Sequence, residues 1–426
     1  MIDVKRIEEN PEKIAELLKR KLYDVDFSEF LEKNKKRKEI TRLVEENRAK
    51  QNEISKKVPL FKKEGKDVKP LFDEVKRLSK ENAENEELLK KLNDECFDFL
   101  KVLPNLPDED LLAGGKENNK PIYTYKEKPV FNFKAKDHVE LEESLGLIDY
   151  ERAAKISGRG TWIYKGLGAR LEWALINFFI QEHLNDGYEF ILPPHLLNYE
   201  SGFTAGQFPK FEGDVFFLNG TEPRKFLLPT AETALVNLYR NEILKESDLP
   251  KRFFAYTPCY RMEAGSYRTE ERGTIRGYQF NKVEMVCYTA QDKSDEMFEE
   301  MLNKAKRLVE KLGLHFQISK LAAGDCSASM ARTYDVEVWI PSMGIYKECS
   351  SVSNARDYQA RRGMMRYKDN QGKIHFVNTL NGSGLATSRL IPAILEQYQQ
   401  EDGSVIIPEV LRPFMDGLEK LEPIKK

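Results

Sequence analysis

Two stripes of apolar residues at helical spacing occupy the first hundred residues of the chain. The first stripe runs from Ile40 to Val58 and the second from Leu71 to Phe99, with steps that alternate between four and three residues. This alternation is typical of the seam of a coiled coil. Polar residues fill part of the same register: Asn47, Gln51, Asn82 and Asn85. The pattern therefore predicts two long helices that meet along a partly polar seam.

Helix-breaking residues separate the two stripes. The segment VPLFKKEGKDVKP contains Pro59, Gly65 and Pro70, so we expect the first helix to end near Pro59. Two helices joined by such a turn form an antiparallel hairpin about 40 Å long at 1.5 Å of rise per residue. Charge supports this pairing, because residues 31–57 carry 10 Lys+Arg against 5 Asp+Glu, whereas residues 71–100 carry 5 against 9.

The tip of the predicted hairpin, residues 58–70, is basic. It contains Lys62, Lys63, Lys66 and Lys69. One interpretation of the hairpin is a coiled coil that serves dimerisation or acts as a spacer. The other is an arm that extends into solvent and grips an extended anionic partner such as RNA. The pattern alone leaves both interpretations open.

The pattern changes after the hairpin. The stretch VLPNLPDEDLLAGGKENNK is rich in Pro, Gly and Asp, and it predicts a linker at 106–120 between a helical arm (1–105) and a second domain (121–426). In that domain an amphipathic helix is predicted at 166–186, followed by a short strand that Pro193 stops. Further strand-like runs are KFLLP, FFAYTPCYR, GYQFNKVEMVCYT, YDVEVWIP, YKECSSVSN and HFVNTLNGSG. Their order favours a mainly antiparallel sheet flanked by helices, an α+β fold.

Composition excludes several classes of protein. A net charge of −2 over 426 residues rules out a polycation, so nucleic-acid contacts would need a local basic patch. The five cysteines are dispersed and form no CxxC pair, so neither a disulfide framework nor a zinc site is indicated. The sequence has no GxGxxG or GxxxxGK[ST] motif and no apolar run of 18 residues. We expect a cytoplasmic protein that does not enter a membrane.

A charged hairpin at 257–286 carries the strongest candidate chemistry. Strand alternation places Phe280, Lys282 and Glu284 on one face, and Arg261 and Glu263 on one face of the preceding strand. The planar fork of arginine suits phosphate and carboxylate groups, and a neighbouring carboxylate can accept from an ammonium or amino group. A nucleotide together with an amino acid fits this combination.

Three further segments add weaker signals. Glu348 lies three residues before Ser351, and these oxygens suit Mg²⁺ held mainly by phosphates. TLNGSGLATSRLIPAILEQY predicts a strand, a glycine turn and a helix with Pro392 in its first turn and Arg389 at its anion-favouring N-terminal end. The T-x-E of Thr230 and Glu232 is typical of a helix start.

In this order, the motifs resemble the seryl-tRNA synthetases of the bacterial type, which are class II aminoacyl-tRNA synthetases. The resemblance covers the helical arm and the segments FTAGQFPKFEGDVF (203–216), LPTAET (228–233), 257–286, 333–362, TLNGSGLA (379–386) and EDGSVIIPEVLRPFM (401–415). It implies activation of L-serine to seryl-adenylate with ATP and Mg²⁺, and transfer of the seryl group to tRNA-Ser, and to tRNA-Sec where present. It also implies a homodimer formed through the 166–186 helix and FILPP, with the arm and its basic tip gripping tRNA.

The resemblance also assigns roles to residues. It places Arg261, Glu263 and Arg389 in catalysis, and Phe280 as a stacking partner of adenine. The full set expected to bind ATP is Arg261, Met262, Glu263, Arg276, Phe280, Glu348, Cys349, Ser350, Ser351 and Arg389. The set expected to bind serine is Thr230, Ala231, Glu232, Arg261, Glu284 and Ser383. Glu348 and Ser351 are expected to hold Mg²⁺ through ATP.

Two departures from the family pattern occur near the hairpin tip. Residues 268–273 read RTEERG, where relatives commonly read like GRDTRG, and Tyr278 replaces a usual histidine. Two alternatives are a synthetase-like paralogue that binds RNA or protein without charging tRNA, and an enzyme that passes serine to a carrier protein. The first should lack an ATP or serine residue or the arm, and the second should lack the arm.

Overall fold

A computed structural model describes residues 1–263 and 273–425 and divides into two compact units. The first unit contains residues 2–16 and 24–103, and the second contains Met1, residues 17–23 and the chain from residue 104 onward. The helices before residue 104 are α1 (Val4–Glu9), α2 (Pro11–Arg20), α3 (Ser28–Lys63) and α4 (Lys69–Val102).

Helices α3 and α4 form the predicted antiparallel hairpin. Lys33 pairs with Glu95 at 2.9 Å and Arg48 pairs with Glu86 at 2.7 Å, so residue numbers rise along one helix as they fall along the other. These cross-pairs join the basic helix to the acidic one, as the charge pattern predicts.

The seam of the hairpin is partly polar. Ile40, Val44 and Leu92 form a small apolar cluster, and Asn47 and Asn82 are buried beside it. Further along the seam, Gln51 Nε2 donates to Ser79 Oγ at 2.8 Å. The four–three alternation therefore identified the contacting faces of both helices correctly.

The tip of the hairpin differs from the prediction in one respect. Pro59 lies inside α3, which continues to Lys63. The helix tolerates this proline because the backbone carbonyl that loses its hydrogen-bond donor lies on the exposed side of the helix. Pro70 occupies the second position of α4, where proline is tolerated. With 36 residues, α3 spans about 54 Å rather than 40 Å. The four tip lysines are exposed.

The second unit combines eight further helices with fifteen strands in the described residues. The helices are α5 (His138–Ser144), α6 (Tyr150–Ser157), α7 (Leu167–Asn185), α8 (Tyr199–Thr204), α9 (Ala231–Leu235), α10 (Ser294–Leu312), α11 (Tyr358–Gly363) and α12 (Thr387–Tyr398). The strands are β1 (Lys120–Tyr125), β2 (Glu189–Ile191), β3 (Leu196–Asn198), β4 (Lys225–Leu227), β5 (Ile243–Lys245), β6 (Lys251–Tyr260), β7 (Gln279–Thr289), β8 (Phe316–Lys320), β9 (Arg332–Ile340), β10 (Ile345–Arg356), β11 (Arg366–Lys368), β12 (Ile374–Phe376), β13 (Asn378–Ala386), β14 (Val405–Ile406) and β15 (Lys420–Leu421).

An eight-stranded sheet forms the centre of this unit. Its order is β1-β8-β9-β10-β13-β7-β6-β2, and every neighbouring pair is antiparallel except β2 with β6. The predicted helix at 166–186 is α7, and the strand that Pro193 was expected to stop is β2. The mainly antiparallel α+β fold is confirmed.

The two faces of the sheet have different roles. On β7, Val283, Met285 and Cys287 belong to a large apolar core that also contains buried residues of α7, α10 and α12. The intervening side chains point to the opposite face, because alternate residues of a strand do so. Those side chains include Phe280, Lys282 and Glu284, which contribute to the candidate site described below.

Three local expectations differ from the structure. The GSG segment is part of β13, which runs directly into α12 without a turn, and Pro392 lies in the second turn of α12 rather than the first. Gly384 leaves room for the ring of His183 in α7, since a Cβ there would approach Nε2 to 2.1 Å. The segment 106–120, expected to be a linker, packs into the second unit through buried side chains such as Leu106 and Leu111.

Candidate active site

A cleft opens on the sheet face opposite the large apolar core. Strands β7, β10 and β13 form its floor, and the start of α12 and the segments flanking β6 and β7 form its sides. The residues that line it are Arg261, Glu263, Ile275, Arg276, Gly277, Phe280, Lys282, Glu348, Cys349, Ser351, Ser383, Ala386, Ser388 and Arg389. Nine of the residues predicted to bind ATP or serine thus lie around one cavity.

Arg261 follows directly after β6. Its Nε donates to the backbone oxygen of Pro229 at 3.2 Å, and its guanidinium group lies 5.2 Å from the centre of the Phe280 ring. Because β6 ends at Tyr260, Arg261 and Glu263 do not share a face of that strand as predicted. Instead, Glu263 has a positive φ of 51°, which turns the backbone after Arg261.

Glu263 and Arg276 form an ion pair across the mouth of the hairpin. The Glu263 side chain is 16% exposed, and Arg276 is 36% exposed. Met262 directly precedes Glu263 in sequence, but its side chain is 44% exposed. Its backbone N–H donates to the backbone oxygen of Asp214 at 2.9 Å. Among the described residues, Met262 is thus not part of the cleft lining, although it was predicted to bind ATP.

Arg389 and Glu348 form a second ion pair on the other side of the cleft. Arg389 Nη1 donates to the Glu348 backbone oxygen at 2.6 Å and lies 3.3 Å from Oε2. Desolvation acts to raise the pKa of Glu348, but the charges of Arg389, Arg261 and Lys282 outweigh it and hold that pKa below its ordinary value. Glu348 is thus an ionised carboxylate at the cleft wall, and Ser351 lines the same wall.

Lys282, Glu284 and Thr230 form a buried polar cluster next to the cleft. Lys282 pairs with Glu284 and donates to Thr230 Oγ1 at 2.8 Å, and Thr230 Oγ1 donates to Glu284 Oε2 at 2.6 Å. The T-x-E segment does start a helix, α9, with Thr230 at the N-cap position. However, within the described residues its side chain makes no capping hydrogen bond, because the hydroxyl is directed to Glu284 instead.

Glu232 lies beneath this cluster. Gln359 Nε2 donates to Glu232 Oε1 at 2.7 Å, and Thr379 Oγ1 holds the Gln359 amide from the other side at 2.6 Å. Burial, and then the charge of Glu284, raise the pKa of Glu232 to about 7. Ala231 is fully buried at the start of α9.

Of the remaining predicted residues, two line the cleft and one supports it without lining it. Ser383 and Cys349 line the cleft, although Cys349 is only 1% exposed. Ser350 is fully buried, and its hydroxyl donates to the backbone oxygen of Ser383 at 2.7 Å, so it joins β10 to β13. Its side chain supports the cleft rather than lining it.

Sequence reasoning did not select two residues that the structure places in or beneath the site. Lys282 was assigned to the correct face of β7, and alternation was the signal that could have selected it. Gln359, which orients Glu232, lies in α11, within the 333–362 segment of the resemblance, but no local pattern distinguishes it from its neighbours there. Of the atypical tip at 268–273, only Gly273 lies inside the described residues. Tyr278 is described, and its backbone oxygen accepts from the N–H of Arg261 at 2.9 Å.

Comparison with known proteins identifies the class that this sheet and cleft define. Residues 216–398 match the family described as the tRNA synthetase class II core domain (G, H, P, S and T). Residues 1–107 match the Seryl-tRNA synthetase N-terminal domain. The second unit, called the catalytic unit below, therefore contains a class II aminoacyl-tRNA synthetase core.

Relatives that match over the full length make the assignment specific. The chain is 57% identical to serine–tRNA ligase 2 of Clostridium acetobutylicum over 426 residues, covering 99% of this chain and 100% of that protein. It is 44% identical to serine–tRNA ligase of Thermodesulfovibrio yellowstonii, covering 97% and 99%. The crystal structure of seryl-tRNA synthetase from Pyrococcus horikoshii complexed with ATP superimposes with a TM-score of 0.93 at 30% identity over 100% of both chains. The chain belongs to the seryl-tRNA synthetase family, and it is a class II serine–tRNA ligase.

In the described part of the chain, none of the helices is both long and apolar enough to cross a membrane.

Proposed function

We propose that this chain activates L-serine with ATP in the cleft between Arg261 and Arg389 and then transfers the seryl group to tRNA-Ser, and to tRNA-Sec where present, in the cytoplasm. One observation carries the proposal. The cleft combines arginines and an aromatic ring, which suit a nucleotide, with the buried cluster of Lys282, Glu284 and Thr230, which suits a small amino acid with a hydroxyl group.

ATP would occupy the cleft with its adenine on the Phe280 ring. Arg261, whose guanidinium lies 5.2 Å from that ring, would then reach the α-phosphate and the serine carboxylate, and Glu263 would accept from the adenine amino group. Arg389 would bind the γ-phosphate from the N-terminal end of α12, and Arg276 would add a further phosphate contact. The ion pairs of Arg276 with Glu263 and Arg389 with Glu348 would exchange for contacts with ATP.

The residues on the cleft wall fit a Mg²⁺ ion carried by ATP. Glu348 offers an ionised carboxylate and Ser351 a hydroxyl from the same strand, and magnesium prefers oxygen ligands supplied by one or two protein groups together with phosphates. When bound, the metal would neutralise negative charge on the phosphates.

Serine would bind at the end of the cleft where Thr230, Glu232, Glu284 and Ser383 lie. Its ammonium and hydroxyl groups would take over hydrogen bonds that the cluster now makes internally, while the backbone of Ala231 holds Thr230 and Glu232 at the start of α9. Alanine would leave these buried groups unpaired. A site built in this way rejects an analogue that lacks the hydroxyl by a large factor.

The chemistry needs no enzyme nucleophile. The serine carboxylate attacks the α-phosphorus in line, a carboxylate oxygen–phosphorus bond forms, and pyrophosphate leaves. A terminal ribose hydroxyl of the tRNA then attacks the carbonyl carbon of seryl-adenylate, losing its proton as AMP departs. Arg261 holds the attacking carboxylate against the α-phosphate and stabilises charge on both, which is catalysis by positioning and electrostatics.

The proposal also includes tRNA binding by the arm and assembly into a homodimer. The basic hairpin tip, with Lys62, Lys63, Lys66 and Lys69 all exposed, suits the phosphate backbone of an extended RNA such as the tRNA. For a homodimer, the supporting observation is a set of large apolar side chains left exposed on and after α7. This set comprises Trp173, Leu184, Leu192 and Leu196.

Serine-dependent exchange of pyrophosphate into ATP, followed by charging of tRNA-Ser, tests the proposal. We expect exchange with serine and charging that depends on both ATP and serine. Absence of exchange would refute the enzymatic function. Exchange without charging would instead favour an enzyme that passes serine to a carrier protein.

A further inference from the structure

Glu172 lies behind the sheet, on α7, and does not line the cleft. It is only 3% exposed. Its Oε1 accepts two hydrogen bonds, one from Asn281 Nδ2 at 2.8 Å and one from Thr387 Oγ1 at 2.6 Å. The Asn281 amide is fixed on its other side, because Tyr256 OH donates to Asn281 Oδ1 at 3.1 Å. A single carboxylate oxygen therefore joins three elements of the catalytic unit.

The two donors belong to the elements that form the two sides of the cleft. Asn281 lies on β7 between Phe280 and Lys282, and its side chain points to the face opposite theirs. Thr387 is the first residue of α12, two positions before Arg389. The Thr387 hydroxyl also approaches the backbone oxygen of Asn281, at 3.2 Å. Glu172 thus joins the strand that carries Phe280 to the helix that carries Arg389.

Packing alone does not explain a buried carboxylate at this position. Its Oε2 is buried and has no hydrogen-bond partner among the described residues. Burial also raises the pKa of Glu172 to about 7. An apolar side chain of similar volume would fill the space without this desolvation cost, whereas only a polar side chain can hold Asn281 and Thr387 together.

We propose that Glu172 is a positioning residue for ATP, which sets the distance between the adenine platform at Phe280 and the phosphate contact at Arg389. This inference rests on the proposed assignment of the cleft to ATP. The groups assigned to serine are held by other contacts, those of Lys282 and Gln359, and none of these involves Glu172. Loss of Glu172 should therefore act on ATP more than on serine.

Serine-dependent ATP–pyrophosphate exchange in the full-length chain tests this selectivity. We expect E172A to raise KM for ATP by roughly 10- to 100-fold, since misplacement of about 1 Å can cost a hundredfold, while KM for serine changes less than about threefold. E172Q keeps an oxygen that can accept both hydrogen bonds, so it should restore KM for ATP to within a few-fold of wild type. T387V, which removes one donor, should raise KM for ATP, and E172A/T387V should be no worse than E172A alone.

Leu175→Ala is the matched control. Leu175 is fully buried on the same helix, but it contributes only to the apolar core. If E172A affects KM for ATP and KM for serine equally, or follows the pattern of L175A, Glu172 is merely structural and the inference fails. If E172A does not fold, the comparison of T387V with wild type decides the question. A wild-type chain without exchange would refute the proposed function, whereas normal ATP kinetics in E172A or T387V would refute only this inference.

Discussion

Replacing Lys282 with methionine tests whether the buried side chains of Lys282, Glu284 and Thr230 stabilise one another. The Lys282 ammonium group pairs with Glu284 and donates to Thr230 Oγ1 at 2.8 Å, and the Lys282 and Glu284 side chains are only 8% and 3% exposed. Methionine keeps much of the length of lysine but removes the charge, so Glu284 loses its counter-ion. Breaking a buried pair in this way costs roughly 3–5 kcal/mol.

Scanning calorimetry measures this effect. The unit that holds this pair has about 330 residues, so at roughly 2 cal/mol/K of unfolding entropy per residue a change of 1 kcal/mol shifts its melting temperature by about 1.5 °C. We therefore expect K282M to melt roughly 4–7 °C below wild type. Adding E284Q removes the unpaired charge, and K282M/E284Q should melt clearly above K282M although it lacks the same ion pair. Together with E284Q alone, these variants form a double-mutant cycle.

Two results would refute this reasoning. One is a K282M variant that melts within about 2 °C of wild type, because the pair would then contribute little. The other is a double variant that melts no higher than K282M, because Glu284 would then not be the group left uncompensated. Serine-dependent exchange should fall in all three variants, since each of them disturbs the proposed serine site.

Three further predictions address the cleft, the arm and the response to pH. Arg261→Ala should lower serine-dependent exchange at least about 10³-fold, because it removes the proposed α-phosphate contact; retention of more than a tenth of wild-type exchange would contradict this. Replacing residues 31–100 with a short linker should spare exchange but greatly weaken charging of tRNA-Ser, and normal charging would rule out a role for the arm. Burial raises the pKa of Glu172 to about 7, so the folded chain binds a proton at this carboxyl more tightly than the unfolded chain does. The stabilisation that this proton provides is fully present below the ordinary carboxyl pKa of 4.5 and is lost as the pH rises through 7. E172Q should therefore gain stability relative to wild type between pH 5 and 8, by up to about 3 kcal/mol in urea unfolding, and a pH-independent difference would refute the shifted pKa.

Local periodicity predicted the fold well because the main elements each repeat one pattern over many residues. The heptad alternation identified the contacting faces of α3 and α4, and the period of two identified β6, β7, β9 and β10. The prediction failed at Pro59, where the helix tolerates one lost hydrogen bond near its exposed end. It also failed at the glycines of β13, where the strand continues and Gly384 packs directly against the ring of His183.

The candidate site could be predicted only in part. Residues on one strand, such as Phe280 and Glu284, follow from alternation. The hydrogen bonds of Thr230 to Glu284 and of Gln359 to Glu232 join residues that are 54 and 127 positions apart. Such contacts depend on the order of strands in the sheet, and no local pattern encodes that order. The same holds for Glu172, whose two donors are 109 and 215 positions away.

A crystal structure of the full-length chain with a non-hydrolysable sulfamoyl analogue of seryl-adenylate tests the central claim most directly. We predict that the adenine stacks on Phe280, that the sulfamoyl group contacts Arg261, and that the serine hydroxyl and ammonium groups reach Glu284 and Thr230. An analogue bound outside this cleft, or bound with its seryl group directed away from Glu284 and Thr230, would contradict the account.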